Sequence, residues 1–304
     1  MIRSILIGLS QSKAAERFVL SNSLARRTSR RFVAGEELSD ALEAARVLNQ
    51  AEMKVSLDFL GENVATREDA VKAREMYVGV FNRIAEGKLD ANVSLKLTQL
   101  GIDFGEEFCQ QQAEGIVKHA ASLGNFVRLD MEGSAYTDRT VEMTRRLREK
   151  CDAVGTVIQS YLYRSEKDIA ALLKVGCRIR LCKGAYLEPP EVAFREKTDV
   201  DANYVKLMKI LLGSGVYHGI ATHDPAMIAA TTDHAAKNGI GKDKFEFQML
   251  YGIRADLQQQ LVRDGYRMRV YIPYGRDWFP YFMRRLAERP ANVLFFARNL
   301  FRAQ

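Results

Sequence analysis

The chain has 304 residues, with 45 Lys and Arg against 38 Asp and Glu, a formal charge of +7. Its 47% hydrophobic and 27% charged content is that of a soluble globular protein and excludes collagen-like, low-complexity and largely disordered classes. No run approaches the ~18 apolar residues of a membrane span. The Ile5-Leu6-Ile7 run near the start is too short for a secretory signal, so a cytoplasmic home is expected.

The basic residues are spread among acids. The densest cluster, Arg26, Arg27, Arg30 and Arg31, has the spacing of one solvated helix face and lacks the interleaved aromatics of a nucleic-acid footprint, so no nucleic-acid partner is expected. Cys109, Cys151, Cys177 and Cys182 form no C-x-x-C pair and read as free thiols or small buried hydrophobes.

A length of ~150 residues per domain would suggest two domains, but no Gly-, Pro- or Ser-rich linker divides the chain, which argues for one domain over 1–304. Residues 1–52 read as a helical extension, with amphipathic spacing in GEELSDALEAARVLNQ. From there a short apolar strand recurs, each time followed by a polar helical pattern. The strands are VSLDFL from Val55, NVSLKL from Asn92, FVRLDM from Phe126, TVIQSYL from Thr156, RIRLCK from Arg178, GIATH from Gly219, FEFQML from Phe245 and RMRVYI from Arg267. Helices are expected over Arg67 to Ala85 and Asp138 to Lys150 among others. Eight such units describe an α/β fold of the (β/α)8 TIM-barrel type.

In such a barrel the active site lies at the C-terminal ends of the strands. Those ends are polar in turn: Glu62, Lys96, Asp130, Gln159, Arg180 with Lys183, His223, Gln248 and Tyr271. Period-2 alternation puts Ser94, Lys96 and Thr98 on one face, and Arg128 with Asp130 on one face. A purely structural interior would be Val, Ile and Leu, so the pattern favours a site.

GSGVYHG from Gly213 precedes a strand and has the wrong last spacing for a dinucleotide fingerprint, so it reads as a loop. Asp130, Glu132, His223 and Asp224 are legitimate metal ligands, but Lys96, Arg180, Lys183, Arg284 and Arg285 on the same rim repel a divalent ion, and no metal is expected. Lys96 and Lys183 are each either a Schiff-base lysine of an aldolase-type barrel or a cation that pairs with Asp130 or an anionic ligand. Arg284 and Arg285 lie on a helix with Trp278, Phe282 and Leu286 on its apolar side, and Glu288 could make an ordinary surface pair with Arg284. Tyr161, Tyr163, Tyr186, Tyr251, Tyr271 and Tyr274 near strand ends read first as packing. A non-catalytic anion- or amino-acid-binding barrel also remains open on these residues alone.

Longer motifs then carry a resemblance. RLCKGAYLEP at 180–189, ATHD at 221–224, FEFQMLYGIR at 245–254, the stretch from Tyr271 to Asn292 and LGENV at 60–64 resemble monofunctional proline dehydrogenase over essentially the whole chain. The resemblance implies a distorted barrel holding non-covalent FAD, and a chain too short to include the aldehyde dehydrogenase module of bifunctional relatives. It implies oxidation of L-proline to 1-pyrroline-5-carboxylate by hydride transfer from C5 to flavin N5, with electrons passed to a quinone. Carried over by position, Arg284 and Arg285 would bind the substrate carboxylate with Lys96 as a third cation, while Tyr186, Leu250 and Tyr271 would wall the ring. Asp130 would orient Lys96, and Arg180 would sit by the flavin N5–O4 edge. Gln159, Lys183, Thr222 and His223, with Gly184, Ala185, Asp130 and Arg180, would hold FAD. Glu62 would pair with Arg284 as a gate. Asp224 departs from members that carry Asn after the His. Tyr271 would crowd C4 of the ring and favour proline over hydroxyproline. Partners expected on this basis are a quinone, a membrane surface at the inner face and, transiently, 1-pyrroline-5-carboxylate dehydrogenase.

Overall fold

The computed structural model describes residues 30–61 and 64–288, with side chains up to Arg285. Eight parallel strands close a barrel in chain order: β1 (Lys54–Phe59), β2 (Ala91–Leu95), β3 (Val127–Leu129), β4 (Val154–Gln159), β5 (Arg178–Cys182), β6 (His218–Ala221), β7 (Phe245–Leu250) and β8 (Arg267–Tyr274). β8 closes on β1 with Lys54 opposite Arg269 and Phe59 opposite Tyr274. Every expected strand is present, with ends shifted by up to three residues.

The helices are α1 (Leu38–Gln50), α2 (Arg67–Glu86), α3 (Glu106–Ser122), α4 (Ser134–Lys150), α5 (Ser165–Leu173), α6 (Lys197–Gly213), α7 (Pro225–Lys237), α8 (Ala255–Arg263) and α9 (Trp278–Glu288). Their starts follow local chemistry. The Thr66 hydroxyl accepts from Asp69 N at 3.1 Å ahead of α2. Asp224 Oδ1 accepts from Ala226 N at 3.0 Å ahead of α7, with Pro225 at the first position, where its missing N–H costs nothing. α1 buries Ala41, Leu42 and Ala45 and packs against β1 and β8, while residues 1–29 lie outside the described residues.

Alternation along the strands separates two environments. Val55, Leu57, Val93, Leu95, Val127, Leu129, Ile179 and Leu181 join the apolar core shared with the helices. The alternate positions, Ser56, Asp58, Ser94, Arg128, Asp130, Arg180, Glu246, Gln248, Arg269 and Tyr271, turn into the barrel, where hydrogen bonds join all but two of them across it; Asp58 holds Lys96 instead, and Arg128 donates to the Thr156 and Arg178 carbonyls. The interior is therefore polar from end to end. One expected alternation stops early. β2 ends at Leu95, and the chain enters 3-10 turns over Leu97–Leu100 and Ile102–Phe104 that bury Leu97, Leu100 and Ile102. Thr98 thus leaves the face of Ser94 and Lys96 and donates to Glu132 Oε1 at 2.7 Å.

α9 is packed apart from the main core. Trp278, Phe279, Phe282 and Met283 form a satellite cluster with Phe32, Val33, Leu60 and Ile253. The helix covers the C-terminal mouth of the barrel without belonging to its core. The GSGVYHG stretch is the end of α6, the loop after it and the first two residues of β6. All four cysteines are free.

Candidate active site

The C-terminal strand ends open on a cavity of about 570 Å³. Arg180 is the hub of its floor. Its Nη1 donates to Asp130 Oδ1 at 2.8 Å, its Nε to Gln248 Oε1, and its Nη2 to Ser94 Oγ at 3.1 Å and Ser56 Oγ at 3.3 Å. The second oxygen of Asp130 accepts from the Tyr271 hydroxyl at 2.7 Å, and the Tyr271 ring lies 5.1 Å from Arg180 Cζ. Burial, helped by the Asp130 carboxylate, pushes the Tyr271 phenol well above its ordinary pKa, so it stays a donor. A guanidinium, a carboxylate and an aromatic wall thereby hold one another fixed.

Lys96 corrects an expectation. Its Nζ donates to Asp58 Oδ1 at 2.8 Å, with both side chains buried. Asp130, the carboxylate the resemblance assigned to it, is held by Arg180 instead. The register explains the choice: Asp58 of β1 lies opposite Ser94 of β2, one inward-facing position below Lys96. Burial raises the Asp58 pKa against the lowering pull of Lys96.

One side of the cavity is built by the ends of β4, β5 and β6. Gln159, Lys183, Gly184, Ala185, Thr222 and His223 all line it. His223 Nε2 accepts from Leu250 N at 2.9 Å, which ties the β6 end to β7. Lys183 arrives already paired: its Nζ binds Asp201 and, at 2.7 Å, Asp224. Lys197 joins the same two carboxylates, so this corner carries two cations and two anions. Asp224 is thus both the cap of α7 and a counter-charge for Lys183.

Tyr186 and Leu250 line the cavity with Tyr271, Leu250 being its register partner across β7 and β8, and α9 brings Arg284 and Arg285 down onto it. Arg285 is 8% exposed and stacks over the Tyr281 ring at 5.1 Å. Tyr281, Arg284 and Arg285 share a face because residues three and four apart on a helix are neighbours. Glu62, the gate partner expected for Arg284, lies outside the described residues, and the side chain of Glu288 does too.

The sequence reading therefore placed its cation, ring-wall and cofactor residues in one cavity, and missed three that border it. Asp58 shares the period-2 face of Ser56 and was legible from it. Tyr281 was legible from its helical spacing to Arg284 and Arg285. Lys197 carries no local signal, because only the approach of α6 to the β5 end brings it there. The metal-type residues disperse: Glu132 binds Thr98, Asp130 binds Arg180 and Asp224 binds Lys183. Each candidate Schiff-base lysine has a carboxylate on its ammonium, whereas a nucleophilic amine must be neutral. Tyr161 and Tyr163 bond to Glu188 and to the Pro190 carbonyl and serve as packing.

A family model described as proline dehydrogenase matches residues 41–298. The chain belongs to the proline dehydrogenase family. It is 40% identical to proline dehydrogenase 1 of Bacillus subtilis over 300 residues, covering 99% of each chain. It is 42% identical to the proline dehydrogenase of Deinococcus radiodurans over 275 residues, 89% of each. Among solved structures it resembles proline utilization A from Bdellovibrio bacteriovorus inactivated by N-propargylglycine, at 26% identity and a TM-score of 0.82, with 87% of this chain and 33% of that one covered. The chain spans a third of that protein's length. It is an enzyme of proline oxidation in the monofunctional branch of the family, and the barrel is the family's fold.

Proposed function

We propose that the upper cavity oxidises L-proline at C5 to 1-pyrroline-5-carboxylate with FAD bound beside Arg180, as the first step of proline breakdown to glutamate. The observation that carries this reading is the convergence of Arg284, Arg285 and Lys96 around one cavity whose floor is the fixed Arg180–Asp130–Tyr271 unit. The residues suit FAD. Gln159 Oε1 is buried at the cavity with no hydrogen-bond partner, and an imide N–H of a flavin would supply one. Gly184 stands at φ +109, and a Cβ there would meet the Tyr161 ring at 2.4 Å, so the backbone passes the cavity where no side chain fits. When bound, FAD supplies the two-electron acceptor that no side chain of the chain can provide.

The chain's own part is positioning and electrostatics. The guanidinium forks of Arg284 and Arg285 clamp the substrate carboxylate, which orients the ring. Tyr186, Leu250 and Tyr271 wall the ring and exclude water, and the Tyr271 face opposes a substituent at C4. Arg180 would hold positive charge beside bound FAD and offset the negative charge that the flavin takes up on reduction. Thr222, His223, Lys183, Gly184 and Ala185 hold the cofactor along the β5 and β6 ends. Lys183 brings Asp224 and Asp201 with it, so it contributes hydrogen bonds more than net charge.

Electrons leave to a quinone in this reading, which calls for contact with a membrane surface. No helix among the described residues is long and apolar enough to cross a membrane. The proposed docking face is the basic cluster Arg26, Arg27, Arg30 and Arg31, midway along the 1–52 extension. Transient contact with 1-pyrroline-5-carboxylate dehydrogenase would pass on the product. An anaerobic visible spectrum of the purified chain before and after L-proline tests the core of the proposal. A flavin spectrum that bleaches supports it. A flavin spectrum indifferent to proline unseats the substrate, and a colourless chain that takes up no FAD unseats the cofactor.

A further inference from the structure

The opposite mouth of the barrel holds a second cavity, of about 610 Å³, at the N-terminal ends of the strands. In this fold that end ordinarily serves stability alone. Four cations and three acids line it. Each acid has its own cation: Asp90 pairs with Lys54, Asp152 with Arg148, and Glu246 with Arg269 at 2.6 Å. Arg128 and Arg178 are left over, and neither meets a carboxylate among the described residues.

Arg128 is 4% exposed. Its Nη1 donates to the carbonyls of Thr156 at 3.2 Å and Arg178 at 2.9 Å, and its Nε has no acceptor at all. Burial and the neighbouring charge of Arg180 depress its pKa to about 9, a sign of how poorly this cation is compensated. Arg178 stands exposed at the rim. The two guanidiniums share the Phe126 ring, at 5.0 and 5.3 Å from its centroid. Space for the buried one is built in: a Cβ at Gly155 would meet the Arg178 carbonyl at 2.2 Å and Arg128 Nη1 at 3.2 Å. A barrel that sought only stability could fill this position with an apolar side chain. Here it buries a fork of donors that lacks an anion.

We propose that the N-terminal mouth is an oxyanion-binding site, in which Arg128 and Arg178 hold a small carboxylate or phosphate against the Phe126 ring. Arginine suits the task because its planar fork meets two oxygens of such a group at once and keeps its charge when partly desolvated. The ring fixes both forks, which lowers the cost of ordering them. The site is separate from the proline cavity, since Ser56, Ser94, Arg180 and Gln248 fill the barrel between the two.

Calorimetric titration of the purified full chain with inorganic phosphate, and separately with acetate, at fixed ionic strength tests this. The equivalent of anion bound at the lower mouth should have the same affinity in wild type and in Arg284→Met, a second acetate event at the upper clamp being the part that Arg284→Met removes. Lower-mouth binding should weaken at least tenfold in Arg178→Gln and in Arg128→Gln. Arg178 is exposed, so its variant keeps the test decisive even when Arg128→Gln does not fold. Tighter binding of phosphate assigns the site to phosphate groups, and tighter binding of acetate assigns it to carboxylates. Absence of binding in wild type, equal affinity in Arg178→Gln, or loss of the site in Arg284→Met overturns the proposal.

Discussion

The two mouths of the barrel are made from the same strands and the same kind of residue, yet they do different things with charge. At the upper mouth, Lys96 and Arg180 are held by Asp58 and Asp130, and a further pair of arginines arrives on a separately packed helix. At the lower mouth, Lys54 pairs with Asp90 and Arg269 with Glu246 on the strands and the turns that enter them, while Arg128 and Arg178 meet no carboxylate among the described residues. Between them runs a hydrogen-bonded column in which the Tyr271 hydroxyl and Arg180 share Asp130, Arg180 binds Gln248, and Gln248 and Arg269 share Glu246. The difference lies in what carries the charges. A lid on a satellite cluster can carry its arginines to a substrate without disturbing the main core, whereas charges locked between strands can act only where they stand.

Substitutions along the column sharpen that contrast. The largest effect is expected at its centre. Arg180→Met leaves Asp130 buried without its cation and should cost about 3–5 kcal/mol of stability, read by urea unfolding, together with loss of proline turnover. An Arg180→Met chain as stable as wild type would mean that the column does not hold the barrel. At the upper mouth, Arg284→Met should cost ~2–5 kcal/mol in binding a carboxylate and leave flavin content and stability unchanged. Kinetics at low proline, compared with the flavin absorbance per chain, separate these; turnover near wild type would break the clamp assignment.

At the lower end the expected signal is stability without activity. His218 is buried, accepts from Ile179 N at 3.0 Å and faces Ser214 on its other nitrogen, and burial with the nearby Arg128 lowers its pKa to about 3. Because the folded pKa lies below the unfolded value near 6.5, the neutral ring favours folding fully above that value. The contribution is lost as pH falls towards 3. From pH 7 to pH 5 this single group should remove about 2 kcal/mol. In His218→Gln that part of the acid slope should vanish from urea titrations, while proline turnover at pH 7 persists. The smallest effect concerns selectivity: Tyr271→Ala should narrow the preference for proline over hydroxyproline by about tenfold, as expected for one pocket contact. An unchanged ratio of kcat/KM values for the two substrates would show that the ring does not face C4.

How much of this was legible follows from the range of each signal. Ser56 and Asp58, Arg128 and Asp130, Glu246 and Gln248 announce themselves as polar residues spaced by two inside apolar strands, since strand geometry alone turns them inward. Pro225 after Asp224, and Thr66 before α2, mark helix starts within a few residues of chain. The tendency to a barrel, its strand positions and the sidedness of the upper cavity are all consequences of such local periodicity.

Partner choice is different. Nothing near Lys96 in the chain says that Asp58 will hold it, or that Asp130 will turn to Arg180, fifty residues away. Register across β1 and β2 and the reach of a guanidinium across the barrel decide both. The pairing of Lys183 with Asp201 and Asp224, and the stranding of Arg128 and Arg178 without an acid among the described residues, likewise depend on which strand ends are brought together. The sequence by itself determined which residues enter the barrel, because that is a matter of alternation. Only the tertiary structure decided which charges meet there, because ion pairs form between neighbours in space that closure of the sheet creates.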